Sequence, residues 1–219
     1  MRPNVELRLA KHPKDHQAVL KFRTAVYVEE TGRLADAGAM RESFDRFDHV
    51  AQYIVAYVDD RPAGSIQVIA DCSIGLPCET VIPLREIRSR GIPVEFGHLI
   101  TVPGFRSTGI AMTVMRAGLA YAVRHLQATH IIGDFFVDNS DIGELHEFYR
   151  TIGFEPLTKP YADTRFSGAP LSVIAVLDIA RGAAMSLRIS GWQGELLKYF
   201  FDEFPTYASF DSVLRETGQ

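Results

Sequence analysis

Residues 95–111, EFGHLITVPGFRSTGIA, combine a strand, a short glycine-bearing turn and the start of a helix. The apolar run stops at Pro103-Gly104, and residues 106–111, RSTGIA, then lead into a long helical pattern. The first turn of a helix has backbone N–H groups without intrahelical partners, which together with the helix dipole favour an anion. Gly109 lets the backbone approach that anion, and Arg106 adds a charge-assisted contact. This order of elements predicts a site for a pyrophosphate.

Two motifs of the chain resemble the signatures of the Gcn5-related N-acetyltransferase (GNAT) superfamily. The loop matches the acyl-CoA pattern Gln/Arg-x-x-Gly-x-Gly/Ala through Arg106, Gly109 and Ala111. Residues 147–155, EFYRTIGFE, resemble the second signature, a helix that ends in Phe-Tyr-x-x-x-Gly-Phe. Short motifs acquire meaning from their structural context, and here both occur in the family's order.

The composition is that of a single globular enzyme domain. The chain has 219 residues, of which 47% are hydrophobic, so it is long enough to bury a substantial core. It contains no apolar run of about 18 residues, the length that spans a membrane. Residues 1–16, MRPNVELRLAKHPKDH, lack the apolar core of a signal peptide. We therefore expect a cytoplasmic protein without a membrane-spanning segment.

Charge and residue spacing disfavour several kinds of site. The net charge of −4 leaves no broad basic surface, so we expect no nucleic-acid partner. The seven histidines are scattered without paired spacing, and we predict no metal site. Cys72 and Cys78 suit neither a disulfide framework nor a zinc site, and we expect free thiols.

The hydrophobic patterns predict a mixed α/β chain without repeats. Residues 31–49 and most of residues 71–93 are expected to be loop. A strand, helix and strand that begin at Val94 are followed by another helix and closing strands, which implies a mixed sheet covered by helices. We expect strands at residues 5–10, 50–58, 65–70, 130–137, 154–160 and 171–179 and from residue 94, and helices at residues 15–30, 84–90, 109–126 and 142–151.

The resemblance implies the GNAT fold, an α/β (α+β) architecture. Its sheet is mixed and mostly antiparallel, with helices on both faces and a central parallel strand pair that splays apart where acyl-CoA binds. The resemblance covers about residues 5–179, so we expect the acyltransferase domain at residues 1–180. Residues 181–219 are predicted to be a C-terminal helical extension, because residues 182–204 are amphipathic and aromatic. This extension packs either on the domain or on a partner subunit in a homodimer.

Acyl transfer from a thioester to an amine needs aligned reactants, a deprotonated amine, a stabilised oxyanion and a protonated leaving thiolate. The resemblance implies that acyl-CoA or acetyl-CoA is the donor, with its pantetheine arm on the strand before the loop and its pyrophosphate on the loop N–H groups. The strand residues are Leu99, Ile100, Thr101 and Val102, and the loop residues are Arg106, Ser107, Thr108, Gly109, Ile110 and Ala111.

Tyr149 matches the family tyrosine that donates a proton to the departing thiolate. A phenol suits this role because its ordinary pKa of about 10 keeps it protonated at neutral pH. The alternative is a core aromatic, since Phe148, Ile152 and Phe154 are apolar neighbours. Asn139 would be the asparagine that commonly precedes this helix, and its distance in sequence from Tyr149 is longer than in the usual pattern.

Glu95 and His98 are the candidates for the base that removes the amine proton. Glu95 lies where many family members place a carboxylate, and histidine titrates near the working pH. Strand alternation places the two side chains on opposite faces, so both face one cleft only if a bulge intervenes. A hydrogen-bonded structural role is the alternative for either residue.

The front half of the chain resembles the long-chain branch of the superfamily, which includes acyl-homoserine-lactone synthases and FeeM-type N-acyl amino acid synthases. The resemblance lies in residues 23–27 (RTAVY), 42–49 (ESFDRFDH) and 95–99 (EFGHL). These relatives usually take their acyl group from acyl carrier protein, and their strand reads Glu-x-Ser-Arg-Leu. This chain has His98 in place of that arginine, and its RSTGIA loop is expected of an enzyme that uses CoA.

We therefore predict a GNAT-type enzyme that moves an acyl group from an acyl-CoA thioester to a small-molecule amine. One alternative is a FeeM-like synthase that uses acyl carrier protein, for which Arg85, Arg88 and Arg90 offer a basic docking face. The other is a non-catalytic acyl-CoA-binding module. The sequence does not name the acceptor, whose pocket is expected to be built from residues 27–49 and 71–93.

Overall fold

The computed structural model describes residues 4–137, 145–166 and 170–205. The strands are β1 (Val5–Leu9), β2 (Gln52–Val58), β3 (Arg61–Ala70), β4 (Pro93–Thr101), β5 (His130–Phe136), β6 (Phe154–Pro156) and β7 (Ser172–Asp178). The α-helices are α1 (Pro13–Arg23), α2 (Ala37–Glu42), α3 (Arg85–Arg90), α4 (Ile110–Leu126), α5 (Glu147–Thr151), α6 (Ile179–Ser186) and α7 (Gly191–Phe201). A π-helical segment lies at Thr24–Glu30, and 3₁₀ turns lie at Pro77–Thr80 and Pro103–Phe105.

The strands form one sheet in the order β1-β2-β3-β4-β5-β7-β6. Strands β4 and β5 are parallel, and their register joins Pro93–Phe96 to His130–Gly133. These are only the first four residues of each strand, as expected of a parallel pair that splays. The pairs β1–β2, β2–β3, β5–β7 and β6–β7 are antiparallel. The predicted mixed and mostly antiparallel sheet is confirmed.

The chain divides into two compact units that alternate along the sequence. Of the described residues, the first unit contains residues 4–68, 97–121 and 205, and the second contains residues 69–96, 122–137, 145–166 and 170–204. The first unit therefore includes β1, β2 and the anion loop, whereas β5, β6, β7 and the last two helices belong to the second. The predicted boundary at residue 180 stays a prediction.

The β2–β3 hairpin of the first unit is tighter than the sequence pattern indicates. Strand β3 begins at Arg61, four residues before the expected start, and Arg61 pairs with Val58. The two turn residues have positive φ angles, 47° at Asp59 and 62° at Asp60. A two-residue turn with both φ angles positive matches the right-handed twist of a hairpin, and aspartate tolerates this conformation better than most residues.

The first predicted helix, at residues 15–30, changes type along its length. It is α-helical over α1 and continues as the π-helical segment Thr24–Glu30. At the end of that segment the Thr31 N–H donates to the carbonyl of Val26, an i to i+5 bond. Such segments are rare and occur frequently at functional sites.

Helix α2 lies in residues 31–49, where the sequence pattern favours loop. Asp36 caps this helix, because its carboxylate accepts hydrogen bonds from the N–H groups of Gly38 and Ala39. An aspartate followed by Ala-Gly-Ala-Met is a helix start signal of the usual kind. The helix was missed because it is only six residues long and buries one of them, Met40.

A buried polar network fixes the acidic segment that follows α2. Arg23 is fully buried, and its guanidinium donates to Asp48 at 2.6 Å and to the Tyr53 hydroxyl at 2.7 Å. The Gln67 amide also donates to both of these groups, at 3.0 Å each. A buried charge is tolerated when it is paired and hydrogen-bonded, so Asp48 has a structural role in this unit.

The second unit ends in a helical pair, where the sequence predicts a helical extension. Helices α6 and α7 pack closely at Gly182, where an added Cβ would come within 2.4 Å of the Phe201 ring. Leu197, Phe200 and Phe201 of α7 are buried. The Arg124 guanidinium in the same unit donates to the carbonyl of Phe204.

Two expectations touch parts of the chain that lie outside the described residues. The helix predicted at residues 142–151 is described only from Leu145 and is helical from Glu147. Asn139 lies outside the described residues. Among the helices that are described, none is long and apolar enough to cross a membrane. Residues 4–137, 145–166 and 170–205 contain no group of three or more His, Cys, Asp or Glu that could hold a metal ion.

Candidate functional site

Strand β4 carries a break in its alternation at His98. This residue has a φ angle of +45°, in the left-handed region that a non-glycine residue adopts only at a cost of about 1–3 kcal/mol. The regular alternation assumed for Glu95 and His98 therefore does not extend through the strand.

The imidazole of His98 is held by the π-helical segment. The Tyr27 hydroxyl lies 2.9 Å from Nδ1 of His98, and the two ring centroids are 5.7 Å apart. Tyr27 is only 6% exposed, whereas His98 is half-buried. This contact therefore engages Nδ1 of the imidazole. Tyr27 was not among the site residues predicted from the sequence, although it belongs to the RTAVY segment, residues 23–27.

The predicted anion loop has the backbone geometry that such a site needs. Ser107 and Gly109 have positive φ angles of 61° and 85°, and Ser107, Thr108 and Gly109 are exposed. Nothing lies within 4 Å of a Cβ placed on Gly109, so the backbone conformation and not lack of space favours glycine there. The 17-residue helix α4 begins at Ile110, directly after the loop.

The guanidinium of Arg106 already has a partner in this structure. Its guanidinium makes a two-pronged ion pair with the carboxylate of Glu30, the last residue of the π-helical segment. Arg106 Nη2 lies 2.5 Å from Glu30 Oε2. The pair is partly exposed, and exposed pairs are weak, so an anion of higher charge could displace Glu30. A contact from Arg106 to a pyrophosphate therefore requires the guanidinium to change partner.

The strand predicted to bind the donor, residues 99–102, continues beyond the part of β4 that pairs with β5. At its end, the Val102 N–H donates to the carbonyl of Ala63 at 2.9 Å. The Val102 carbonyl in turn accepts from the N–H of Phe105 at 2.8 Å. Both backbone polar groups of Val102 therefore have partners in this structure, and the pairing of residues 99–102 with pantetheine stays a prediction.

Glu95 lies in the second unit and is only 4% exposed. Its Oε2 accepts a hydrogen bond from the backbone N–H of Cys78 at 2.9 Å. Burial raises the pKa of this carboxyl to about 7, and the hydrogen bond from Cys78 opposes that rise. A base with a pKa near neutral pH is well suited to remove a proton, and the burial of Glu95 means that it would act through a water molecule.

Tyr149 lies on α5 among aromatic rings of the second unit. Its ring centroid is 4.2 Å from that of Phe135, 5.2 Å from that of Phe148 and 6.1 Å from that of Phe154. Burial raises the pKa of its phenol, so the hydroxyl stays protonated at neutral pH. The arrangement agrees with a proton donor and also with the alternative, an aromatic residue of the core.

A charged cluster in the second unit was missed by the sequence analysis. Asp134 of β5 accepts hydrogen bonds from the Tyr161 hydroxyl at 2.7 Å and from Arg165 at 2.6 Å. Arg165 also binds Asp163 at 2.7 Å, and burial raises the pKa of Asp134. The charge of Asp134 raises the pKa of Glu95, and that of Arg165 lowers it. The signal for this cluster was a single carboxylate in the otherwise apolar strand HIIGDFF.

The basic residues near α3 differ in their availability. Arg88 binds both Asp71 and Glu79, with two hydrogen bonds to each carboxylate. Arg88 is therefore neutralised locally by two carboxylates. All three of Arg85, Arg88 and Arg90 are exposed. The basic face for an acyl carrier protein stays a prediction.

Solved structures of similar fold include proteins named as acyltransferases and acyl-transferring synthases. FeeM, an N-acyl amino acid synthase from uncultured soil microbes, matches with a TM-score of 0.68 and 18% identity over 83% of this chain and 94% of its own. An acyl-CoA N-acyltransferase from Pseudomonas aeruginosa matches with a TM-score of 0.55 and 16% identity over 80% and 99%. BjaI is a CoA-dependent acyl-homoserine lactone synthase whose structure was solved with SAM and isopentyl-CoA. It matches with a TM-score of 0.58 and 14% identity over 97% of this chain and 100% of its own.

These likenesses show the fold, which is that of the GNAT superfamily. A comparison with curated protein sequences gives no match. The family model of the N-acyl amino acid synthase FeeM matches residues 18–177, and the chain belongs to that family. It is therefore a GNAT-type enzyme that transfers an acyl group to an amine. The resemblances to the GNAT superfamily and to its FeeM-type branch are confirmed.

Proposed function

We propose that this enzyme transfers an acyl group from acyl-CoA to the amine of an amino acid. The amino acid acceptor follows the name of the family. The observation that carries the choice of donor is the exposed loop with positive φ angles at Ser107 and Gly109, directly before the 17-residue helix α4. Its backbone N–H groups and the helix dipole suit a diphosphate. CoA contains a diphosphate, whereas the arm of an acyl carrier protein offers a single phosphate.

The likeness to BjaI supports this choice of donor. BjaI is CoA-dependent, and its similarity to this chain extends over 97% of the residues. The pantetheine arm would pair with the backbone of Leu99, Ile100 and Thr101. The loop from Ser107 to Ala111 would hold the diphosphate, with Arg106 added after it leaves Glu30.

The proton transfers can be assigned to three side chains. We propose that His98 takes the amine proton, because its side chain is only half-buried and an imidazole is a usual base near neutral pH. Glu95 is the second candidate, because its pKa of about 7 suits a base that acts through water. Tyr149 would donate a proton to the departing thiolate, since burial keeps its phenol protonated.

The donor is tested with the purified chain and matched series of acyl-CoA and acyl-carrier-protein thioesters, in the presence of mixed amino acids. We expect N-acyl amino acids from acyl-CoA, detected by mass spectrometry. Activity should fall only modestly with salt, because directed hydrogen bonds depend less on screening than long-range attraction does.

The matched control is the double variant Arg85→Glu/Arg90→Glu. It reverses the charges of Arg85 and Arg90 and keeps Arg88 with its ion pairs to Asp71 and Glu79. Turnover confined to acyl-carrier-protein thioesters, with its loss in the double variant, would show that the alternative donor is the correct one. The cytoplasmic location and a homodimer stay predictions.

A further inference from the structure

Two uncommon backbone conformations of the first unit meet at one hydrogen bond. Tyr27 lies in the π-helical segment, and His98 has the left-handed φ angle of +45°. The Tyr27 hydroxyl and His98 Nδ1 are 2.9 Å apart. Rare conformations of both kinds are concentrated at functional sites, where the surrounding structure holds them in place.

The hydroxyl of Tyr27 is the informative group of this contact. The side chain is 6% exposed, and its hydroxyl is close enough to His98 Nδ1 to donate or to accept a hydrogen bond. Phenylalanine would fill the same space without this contact. The hydroxyl therefore acts on the imidazole of His98 and not on the packing of the core.

The contact has a direct consequence for the chemistry of His98. A neutral imidazole carries its hydrogen on one nitrogen and a lone pair on the other. When Nδ1–H donates to the Tyr27 oxygen, the lone pair lies on Nε2. When the Tyr27 hydroxyl donates to Nδ1, Nε2 carries the hydrogen and cannot accept a proton. A base at position 98 requires the first arrangement.

We propose that Tyr27 is a positioning residue that holds the ring of His98 with the hydrogen on Nδ1, so that Nε2 accepts the proton of the acceptor amine. This inference rests on the proposed function, in which His98 is the base. The π-helical segment places the tyrosine oxygen, and the left-handed conformation of His98 places Nδ1 beside it. One proton leaves the amine nitrogen and forms the Nε2–H bond, which gives an imidazolium whose Nδ1–H still donates to Tyr27.

The test compares Tyr27→Phe with Tyr57→Phe in the full-length enzyme. Tyr57 is a matched control, because it is also buried in the first unit and its hydroxyl donates to a side chain, Asp15, at 2.6 Å. Both variants lose one buried hydrogen bond, and both are expected to unfold at a lower temperature. Only Tyr27→Phe should lower kcat, by roughly tenfold or more, with the KM values for donor and acceptor nearly unchanged.

The hydrogen position is read directly by NMR of protein labelled with ¹⁵N-histidine, in which His98→Gln identifies the signals of His98. We expect the Nδ1–H form in the wild type and in Tyr57→Phe, and a larger share of the Nε2–H form in Tyr27→Phe. A wild-type His98 with its hydrogen on Nε2 would overturn the inference, as would an unchanged kcat in Tyr27→Phe.

The same variants distinguish this inference from the proposed function. If Tyr27→Phe changes the hydrogen position but His98→Gln retains full kcat, Tyr27 does control the imidazole and His98 is not the base. If His98→Gln loses activity but Tyr27→Phe changes neither the hydrogen position nor kcat, His98 is the base and Tyr27 only packs against it.

Discussion

At the scale of single residues, Glu95 combines burial with a charge that folding disfavours. Its pKa rises from 4.5 to about 7, mainly because burial penalises the carboxylate. The folded protein therefore binds the proton more tightly than the unfolded chain. The stabilisation from this difference is complete below pH 4.5 and is lost as the pH rises through about 7.

The substitution Glu95→Gln tests this linkage. Glutamine does not ionise and keeps an oxygen that can accept from Cys78, so the variant should gain stability relative to the wild type as the pH rises from about 4.5 to 8. One unit of pKa shift corresponds to about 1.4 kcal/mol, so the relative gain is on the order of 3 kcal/mol. Urea unfolding at both pH values measures it. An equal difference between the two proteins at both pH values would contradict the raised pKa.

The substitution Tyr149→Phe separates the two roles that remain for this residue. The ring contacts with Phe135 and Phe154 are preserved, so the melting temperature should change little. If the phenol donates a proton to the thiolate, kcat falls by roughly 10²-fold while KM stays near normal. Steady-state kinetics with acyl-CoA measures both constants. Full activity in the variant would make Tyr149 a core aromatic and leave the protonation to water or to another group.

At the scale of elements, the loop between β4 and α4 offers a matched pair of glycines. Gly109 has a φ angle of +85°, whereas Gly104 has no positive φ, and neither has an atom within 4 Å of an added Cβ. Alanine at both positions therefore introduces the same methyl group into open space. Only at Gly109 does the methyl group conflict with the backbone conformation, at a cost of about 1–2 kcal/mol.

We therefore expect Gly109→Ala to weaken CoA binding by roughly tenfold, because about 1.4 kcal/mol corresponds to a factor of ten. Gly104→Ala should bind CoA like the wild type. Calorimetric titration with CoA measures both affinities, and circular dichroism checks the fold. Equal affinities in two folded variants would remove the loop geometry as the basis for the choice of donor.

The helix predicted at residues 15–30 is present, but its second half is π-helical, which the sequence pattern does not predict. The pattern of residues 15–30 predicts one helix, and the chain forms one continuous helical stretch there. The change from α to π after Arg23 leaves no mark in hydrophobic spacing. Hydrophobic periodicity reports which face is buried, but it does not report the hydrogen-bond pattern of the turn.

At the scale of the whole molecule, the C-terminal helices belong to the second unit. Alanine is normally better than glycine inside a helix, by about 1 kcal/mol. At Gly182 of α6 the order should reverse, because the new methyl group would meet the Phe201 ring at 2.4 Å. We expect Gly182→Ala to lower the free energy of unfolding by roughly 1–3 kcal/mol. Urea unfolding measures this, and a stabilised variant would mean that the two helices do not pack closely.

The sequence by itself determined the class of this protein, without information on tertiary contacts. The order of strands and helices, the RSTGIA loop and the EFYRTIGFE helix led to the GNAT fold, which the sheet and the similar structures confirm. These features are local, because a strand, a turn or a helix start is set by residues within a few positions of each other. The two strands of the β2–β3 hairpin were expected from the sequence for the same reason.

Only the tertiary structure decided the partners of the candidate site residues. Tyr27 and His98 are 71 positions apart, and Glu30 and Arg106 are 76 apart, so neither pair is visible in local spacing. The same holds for Arg88, whose charge is bound by Asp71 and Glu79. The pKa of Glu95 also depends on burial, which exists only once the strands have assembled. Residue types and local order follow from the sequence, whereas the charge, proton position and availability of a side chain follow from what the fold places beside it.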